Sequence, residues 1–427
     1  MKIALFLVGA AALAAQSLAP FRPPAVPLVT HDPYFSVWSM SDRLSDEETR
    51  HWTGKPNAMT ALVRIDGKTY RVMGRDPRNM PALRQDGVDV LPTRTVYRFS
   101  GAGVRLGLTF LTPVLPNDLE LVSRPVTYIV FGAASEDGRP HEVAAYLDAS
   151  SELVVNTPDQ TVAWSRFQVD GQPVLRMGSR QQPMLEKVGD DVRIDWGYLY
   201  IAADRSEGSM LSANPRGQTS SSFDQRGALP DSDDLNDHRA VRRSAPVIAL
   251  ALSLGQVQQA PVSRYAMLAY DDIYSLEYFQ RKVRPWWRRN GKGAADLLRT
   301  ARADYGKLAE RSSAFDDELM SDLRRAGGEE YARLAALAFR QTIAAHKLVA
   351  DADGTALHFP KENFSNGCIG TVDVFYPSAP FFLLFNPALL EAQMRPIMDY
   401  AQMSRWRFPF APHDLGTYPH ANGQVYG

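Results

Sequence analysis

The hydrophobic pattern of this chain changes period once, near residue 270, and that change limits the folds open to it. Before it, apolar residues alternate with polar ones in short runs, the signature of half-buried strands; after it they recur at i, i+3, i+4 and i+7, the signature of helices. Val104, Leu106, Leu108 and Phe110 alternate strictly. Leu62–Ile65 and Thr69–Met73 flank Asp66-Gly67, and Thr161–Val169 and Val174–Met177 flank Asp170-Gly171. Both are Asp-Gly hairpin signals. Val126–Phe131 and Glu142–Leu147 flank the polar turn Glu136-Asp137-Gly138, and Val192–Ile201 and Val247–Leu254 add two more runs. Strands at this density predict an antiparallel β-sandwich over 20–270. The Ser-, Asp- and Gly-rich stretch Asn214–Asp237 reads as a long surface loop.

Beyond the switch, 271–312 is expected to hold linker helices and 313–427 a helical domain. Ala294, Leu297, Leu298, Ala301, Tyr305 and Leu308 form one apolar stripe. Ser313-Ala-Phe-Asp316 has the form of a capping box opening a new helix, and Gly327-Gly328 ends it. Tyr331–Val349 reads as a third helix. Asn386-Pro387 places an N-cap before a proline at the first helical position, opening a helix to about Ser404. The apolar segment Ser378–Phe385 precedes it, which predicts an αα-hairpin.

The N-terminus has its own pattern. Lys2, the apolar run Ile3–Leu13 and the small-residue sites Ala12-Leu-Ala14 and Ser17-Leu-Ala19 fit a signal peptide over 1–19, so the protein is expected to be secreted or periplasmic. No later run is apolar for long enough to span a membrane. The formal charge of −1 gives no electrostatic case for nucleic acid or for a membrane surface after signal removal. Cys368 is the single cysteine, so no intrachain disulfide forms.

H-E-x-x-H, G-x-S-x-G and P-loop motifs are absent from the sequence. The reactive residue types concentrate in two polar-aromatic stretches between helices, His358–Tyr376 and Trp406–Tyr426. The first holds Glu362 and Asp373, carboxylates set among aromatic residues and of the type that general acid-base chemistry uses. The second holds His413, Asp414, His420 and Asn422. Glu362, Asp373, His413 and Asp414 are the catalytic candidates. His31, Asp32, Lys361, Asn363, Tyr376, Tyr418, His420 and Asn422 are the candidates for holding a small polar substrate, an amino acid or a sugar. No metal-ligand spacing is diagnostic, and no cofactor is expected. Cys368 reads as a small buried hydrophobe rather than a nucleophile. Asp271-Asp272 reads as an acidic helix cap, and His31–Trp38 as the anchor of the first strand.

Four segments, His31-Asp-Pro-Tyr-Phe-Ser-Val-Trp38, Ala269–Phe279, Glu362–Pro377 and Pro412-His-Asp-Leu-Gly-Thr-Tyr-Pro419, resemble the secreted glutaminase A family, and the likeness runs along the whole mature chain. It implies a β-sandwich followed by a helical domain similar to six-hairpin (α/α) toroids, and hydrolysis of the glutamine side-chain amide to glutamate and ammonia. Ser244-Ala-Pro-Val departs from the Trp-Pro pattern of the family. A toroid of this kind needs about twelve helices, of which roughly four or five are legible. The fold expected is therefore a multidomain β + α chain with a partial toroid, the N-terminal portion of a longer protein with an exposed apolar flank and little activity alone. The competing functions are a six-hairpin glycoside hydrolase and a non-catalytic carbohydrate-binding protein. In either one the seven tryptophans, Trp38 and Trp52 among them, serve as sugar platforms or as core.

Overall fold

A computed structural model of the chain describes residues 22–425 apart from 205–207, 237–239 and 245. The segment read as a signal peptide, 1–19, lies outside the described residues. The strands form two large antiparallel sheets. One has eight strands in the spatial order Val162–Val169, Gln172–Ser179, Tyr198–Ala203, Val262–Asp271, Val126–Ser135, Val104–Leu111, Arg94–Gly101 and Arg84–Val90. The other has five: Met210–Pro215, Pro246–Val257, His141–Ser150, Met59–Ile65 and Lys68–Met73. Their facing sides share one core in which Leu106, Phe110, Ile129 and Leu268 of the first sheet join Val63, Leu147, Ile248 and Leu250 of the second. This is the predicted sandwich. Asp66 and Gly67 both take positive φ, as do Asp170 and Gly171, which is the backbone of a type I′ hairpin turn. The Glu136–Gly138 turn joins strands of different sheets, so it crosses the sandwich rather than closing a hairpin.

Six helices are described: α1 (Leu119–Ser123), α2 (Arg216–Arg226), α3 (Val241–Ser244), α4 (Ala294–Ala344), α5 (Val372–Phe385) and α6 (Pro387–Ala401). α2 corrects the reading of Asn214–Asp237 as a surface loop. Its Ser- and Gln-rich sequence favours no helix by propensity, but Phe223 and then Leu229 are fully buried on the outer face of the five-stranded sheet. Arg216 pins its start to the buried Asp148 at 2.7 Å. Burial and one ion pair outweigh weak propensity here. The Val192–Ile201 run also shortens, since only Tyr198–Ala203 is strand.

α4 corrects two readings and bears out a third. It passes straight through the supposed cap at Ser313, because Asp316 turns back to the sheet instead. The Asp316 carboxylate accepts from the Thr93 N–H (2.8 Å) and from Arg94 Nε (2.7 Å). Gly328 does break the helix, at φ 83° and ψ −175°. The last part ends at Ala344 rather than Val349, because His346–Ala350 pairs as a strand with Ala356–Pro360. The expected linker helices of 271–312 begin instead with two short strands, Leu276–Tyr278 and Arg281–Pro285. These belong to a five-stranded sheet ordered Ala356–Pro360, His346–Ala350, Arg281–Pro285, Leu276–Tyr278 and His420–Ala421, the last pair parallel. The early part of α4 lies across the outer face of the eight-stranded sheet through Leu297, Leu298, Ala301 and Leu308. α5 and α6 form the predicted αα-hairpin, with Asn386 accepting from Ala388 N–H as N-cap. Phe382 and Leu389 pack it against Phe339 and Ile343 of α4.

Candidate functional site

The two polar-aromatic stretches are hydrogen-bonded to each other. Ile369 N–H donates to Gly416 O, Leu415 N–H to Ile369 O, Tyr418 N–H to Gly367 O and Val372 N–H to His413 O. Gly416 is needed at this seam. Its φ is +134°, and a Cβ there would sit 2.2 Å from His420 O. Neither stretch is wholly irregular, since the first takes in the end of the Ala356–Pro360 strand and the start of α5 and the second the His420–Ala421 strand.

The seam brings the four catalytic candidates together around His413. Asp414 is fully buried and its Oδ2 accepts from His413 Nδ1–H at 3.0 Å. Its Oδ1 accepts from the N–H groups of Gly416 (2.9 Å) and Val425 (3.1 Å). A carboxylate held this way fixes the histidine tautomer and turns Nε2 outward. On that side Asp373 Oδ2, in the first turn of α5, lies 3.8 Å away. Adjacent residues on a strand would face apart; these two meet because the backbone at His413 bends. The bond to Asp414, reinforced by Asp373 and Glu362, holds the His413 pKa above the ordinary histidine value. His413 keeps 42% of its side-chain surface in solvent, so it can exchange protons with a ligand or water.

Cys368 borders this group but is buried. Burial and the charge of Asp414 push its thiol up to about 12, the opposite of what a nucleophilic thiolate requires. The two bases nearest to it in sequence are engaged elsewhere. Lys361 Nζ donates to Asp190 Oδ1 at 2.7 Å, and His358 Nδ1 accepts from Gln393 Nε2 at 3.1 Å.

Most substrate-binding candidates turn out to hold the fold. His31 is buried, stacked on Phe35 and bonded through Nε2 to Thr127 Oγ1 at 3.0 Å; burial lowers its pKa to about 3. Asp32 accepts from the N–H groups of Tyr34 and Phe35, and from Lys347 Nζ at 2.7 Å. Lys347 also reaches Asp272 at 2.8 Å, while Asp271 pairs with Arg288, so Asp271-Asp272 is not a helix cap. Lys361 is a buried ion-pair partner. Tyr418 is fully buried, edge-on to Tyr34 at 5.0 Å. His420 Nε2 donates to Leu185 O at 2.7 Å, and Asn422 bonds Glu277 and the Gln280 N–H. Tyr376 points away on the outer face of α5, 85% exposed. His31 and Asp32 edge a small cavity with His346, Lys347 and His358, while Asn363 lines a cleft beside Trp38, Trp52 and Phe364. The first two of these aromatic residues were legible only as tryptophans of unknown burial. Among the described residues, no group of three or more His, Cys, Asp or Glu side chains is placed to hold a metal ion, and no helix is long and apolar enough to cross a membrane.

Three domain families cover the chain. Residues 10–85 match a domain of unknown function (DUF4964), 93–322 another (DUF5127), and 328–427 the glutaminase A six helical-hairpin domain. Glutaminase A of Aspergillus oryzae is 30% identical over 427 residues, covering 97% of this chain and 61% of its own. The chain belongs to the family of the DUF5127 domain, which matches more than half of it, and over 328–427 it carries the glutaminase A six helical-hairpin domain. A second relative, from Arthroderma benhamiae and named a probable glutaminase, is 25% identical over 444 residues, covering 95% of this chain and 50% of its own. This chain thus spans between half and two thirds of each of these relatives. A protein named as a kojibiose phosphorylase from the human microbiome aligns with a TM-score of 0.36 at 8% identity, over 72% of this chain and 34% of that one, too distant to carry an argument. The hairpin domain starts at the Gly328 break, and the His413–Asp414 pair lies inside it.

Proposed function

We propose that this chain carries the acid-base centre of an exported hydrolase that releases ammonia from the side-chain amide of glutamine. The observation behind this reading is the buried Asp414 bonded to His413 Nδ1, with Nε2 turned to Asp373 and solvent. The glutaminase names of the relatives supply the substrate. In the neutral form, His413 Nε2 takes a proton from water as the water oxygen bonds to the amide carbon. Asp414 and Asp373 stabilise the imidazolium that results. His413 then returns the proton to the amide nitrogen as the C–N bond breaks, giving glutamate and ammonia. No thiol takes part, in keeping with the buried Cys368. The test is ammonia release from L-glutamine by the purified chain. His413→Gln is expected to lower the rate about 10²–10⁴-fold, the usual contribution of a general base. A folded chain that yields no ammonia, or that cleaves glycosides instead, sinks the amidase reading.

A further inference from the structure

The loop that brings Glu362 and Cys368 to His413 also builds one wall of a second cavity. This cleft, of about 450 Å³, lies between the Ser36–Ser39 strand, the end of α4 and Asn363-Phe364. Its aromatic walls are Trp38, Trp52 and Phe364. Phe364 is 73% exposed, yet its backbone is left-handed at φ +58°, a conformation that costs a bulky residue energy and that no burial of its ring repays. The strain is imposed from below. The Phe364 N–H donates to Asp190 Oδ1 at 3.2 Å, and Asp190 is held by the buried Lys361. Lys361 Nζ also backs the Trp52 ring at 4.6 Å from its centroid, and Trp52 meets Phe364 edge to face at 5.0 Å. An ion pair whose ammonium is buried and whose carboxylate is partly exposed therefore backs two rings at the mouth of a cavity.

The polar groups of the cleft narrow the ligand. No charged side chain lines it. A zwitterionic amino acid would lose hydration there and gain no counter-ion, so the cleft does not suit free glutamine. Asn363 Oδ1 accepts no hydrogen bond and is shut from solvent in the free protein, so a ligand pairs it by drawing the amide toward the cleft, which a purely aliphatic group cannot do. What fits is an uncharged ring with an apolar face for Trp52 and Phe364 and hydroxyls that donate to Asn363. The volume lies within the range of small-ligand pockets. We infer that the Trp38–Trp52–Phe364 cleft is a binding site for a neutral sugar ring, distinct from the His413 centre. This inference does not depend on glutamine being the substrate.

The test uses saturation-transfer NMR and calorimetry on the chain, with maltose, cellobiose and lactose as ligands and N-acetylphenylalanine amide as the uncharged non-sugar comparison. At least one disaccharide is expected to receive saturation and to bind with a Kd of about 1 mM or tighter. Phe364→Ala, which removes an exposed ring and leaves the core intact, is expected to weaken that binding about tenfold, whereas Phe364→Trp preserves it. Asn363→Asp, which places a charge in the uncharged wall, is expected to weaken it as well. Three results overturn the inference: no disaccharide binds; binding is unchanged in Phe364→Ala; or the phenylalanine derivative binds in place of the sugars.

Discussion

His413 depends on a neighbour that its sequence position alone would not assign to it. Hydrogen bonding to Asp414 raises its pKa, so the imidazole is protonated below that raised value and becomes the free base only as pH climbs through it. The rate of ammonia release should therefore rise with pH across that value. Asp414→Asn removes the charge that raises it, so the inflection should move to lower pH while the maximal rate falls, because the amide no longer fixes the tautomer. A pH–rate profile with an unmoved inflection would detach Asp414 from the histidine. Lys347 makes a different case. Burial pulls its pKa down, but Asp272 and Asp32 outweigh that and the ammonium ends above the ordinary lysine value. Lys347→Met strands two buried carboxylates, and the expected loss is about 3–5 kcal/mol, read as a lowered denaturation midpoint. A midpoint within experimental error of the parent would show that solvent reaches the pair. The catalytic candidates were legible because reactive types crowd two short stretches. The roles of His31, Asp32 and Tyr418 were not, because a conspicuous His-Asp-Pro-Tyr string reads the same whether it faces a ligand or a core. What separates the two is Lys347, which is 315 residues away from Asp32 in sequence.

At the scale of elements, three turn and cap signals hold in the structure because each is written locally. Asp66-Gly67, Asp170-Gly171 and Asn386-Pro387 each act within a few residues. Errors arose where a distant partner overruled a local signal. Asp316 has the right spacing for a cap but bonds Thr93 and Arg94, and α2 forms from residues of poor propensity because the outer sheet face offers Phe223 a buried place. Gly328 is local and decisive. Its φ of 83° with ψ of −175° is a conformation open almost only to glycine, and it redirects the chain between the part of α4 lying on the sandwich and the part that meets the α5–α6 hairpin. Gly328→Ala should cost about 1–3 kcal/mol, measured by urea denaturation. Gly217→Ala offers the control: it has open space around it and no positive φ, and should change stability little. Equal effects of the two substitutions would mean that the break is not held by the fold.

Across the whole molecule, coverage of apolar faces is uneven. The outer face of the eight-stranded sheet lies under α4 and that of the five-stranded sheet under α2, so the sandwich is closed on both sides. The hairpin differs. Phe375 and Phe382 of α5 and Leu389 and Ile397 of α6 are buried, while Tyr376, Leu383 and Leu384 on α5 and Met394 and Met398 on α6 face solvent. The spacing of Tyr376, Leu383 and Leu384 puts them on one outward stripe of α5. The sequence predicted an apolar flank in this region, but it cannot say which residues of the Phe381–Phe385 run turn inward, because that depends on where Phe339 and Ile343 of α4 arrive. The stripe through Leu334, Leu337, Ala338 and Leu348 divides in the same way, with Leu334 exposed and Leu337 and Leu348 buried. An exposed run of large apolar side chains on one helix is a site of association. The chain should therefore bind an environment-sensitive hydrophobic dye and self-associate with rising concentration. The double substitution Leu383→Gln and Leu384→Gln should reduce both effects while shifting stability by no more than about 0.5 kcal/mol, as exposed sites do. Dye fluorescence and sedimentation are the measurements. If both stay at parental levels in the double variant, the association surface is not on α5, and the exposed methionines of α6 become the next residues to substitute.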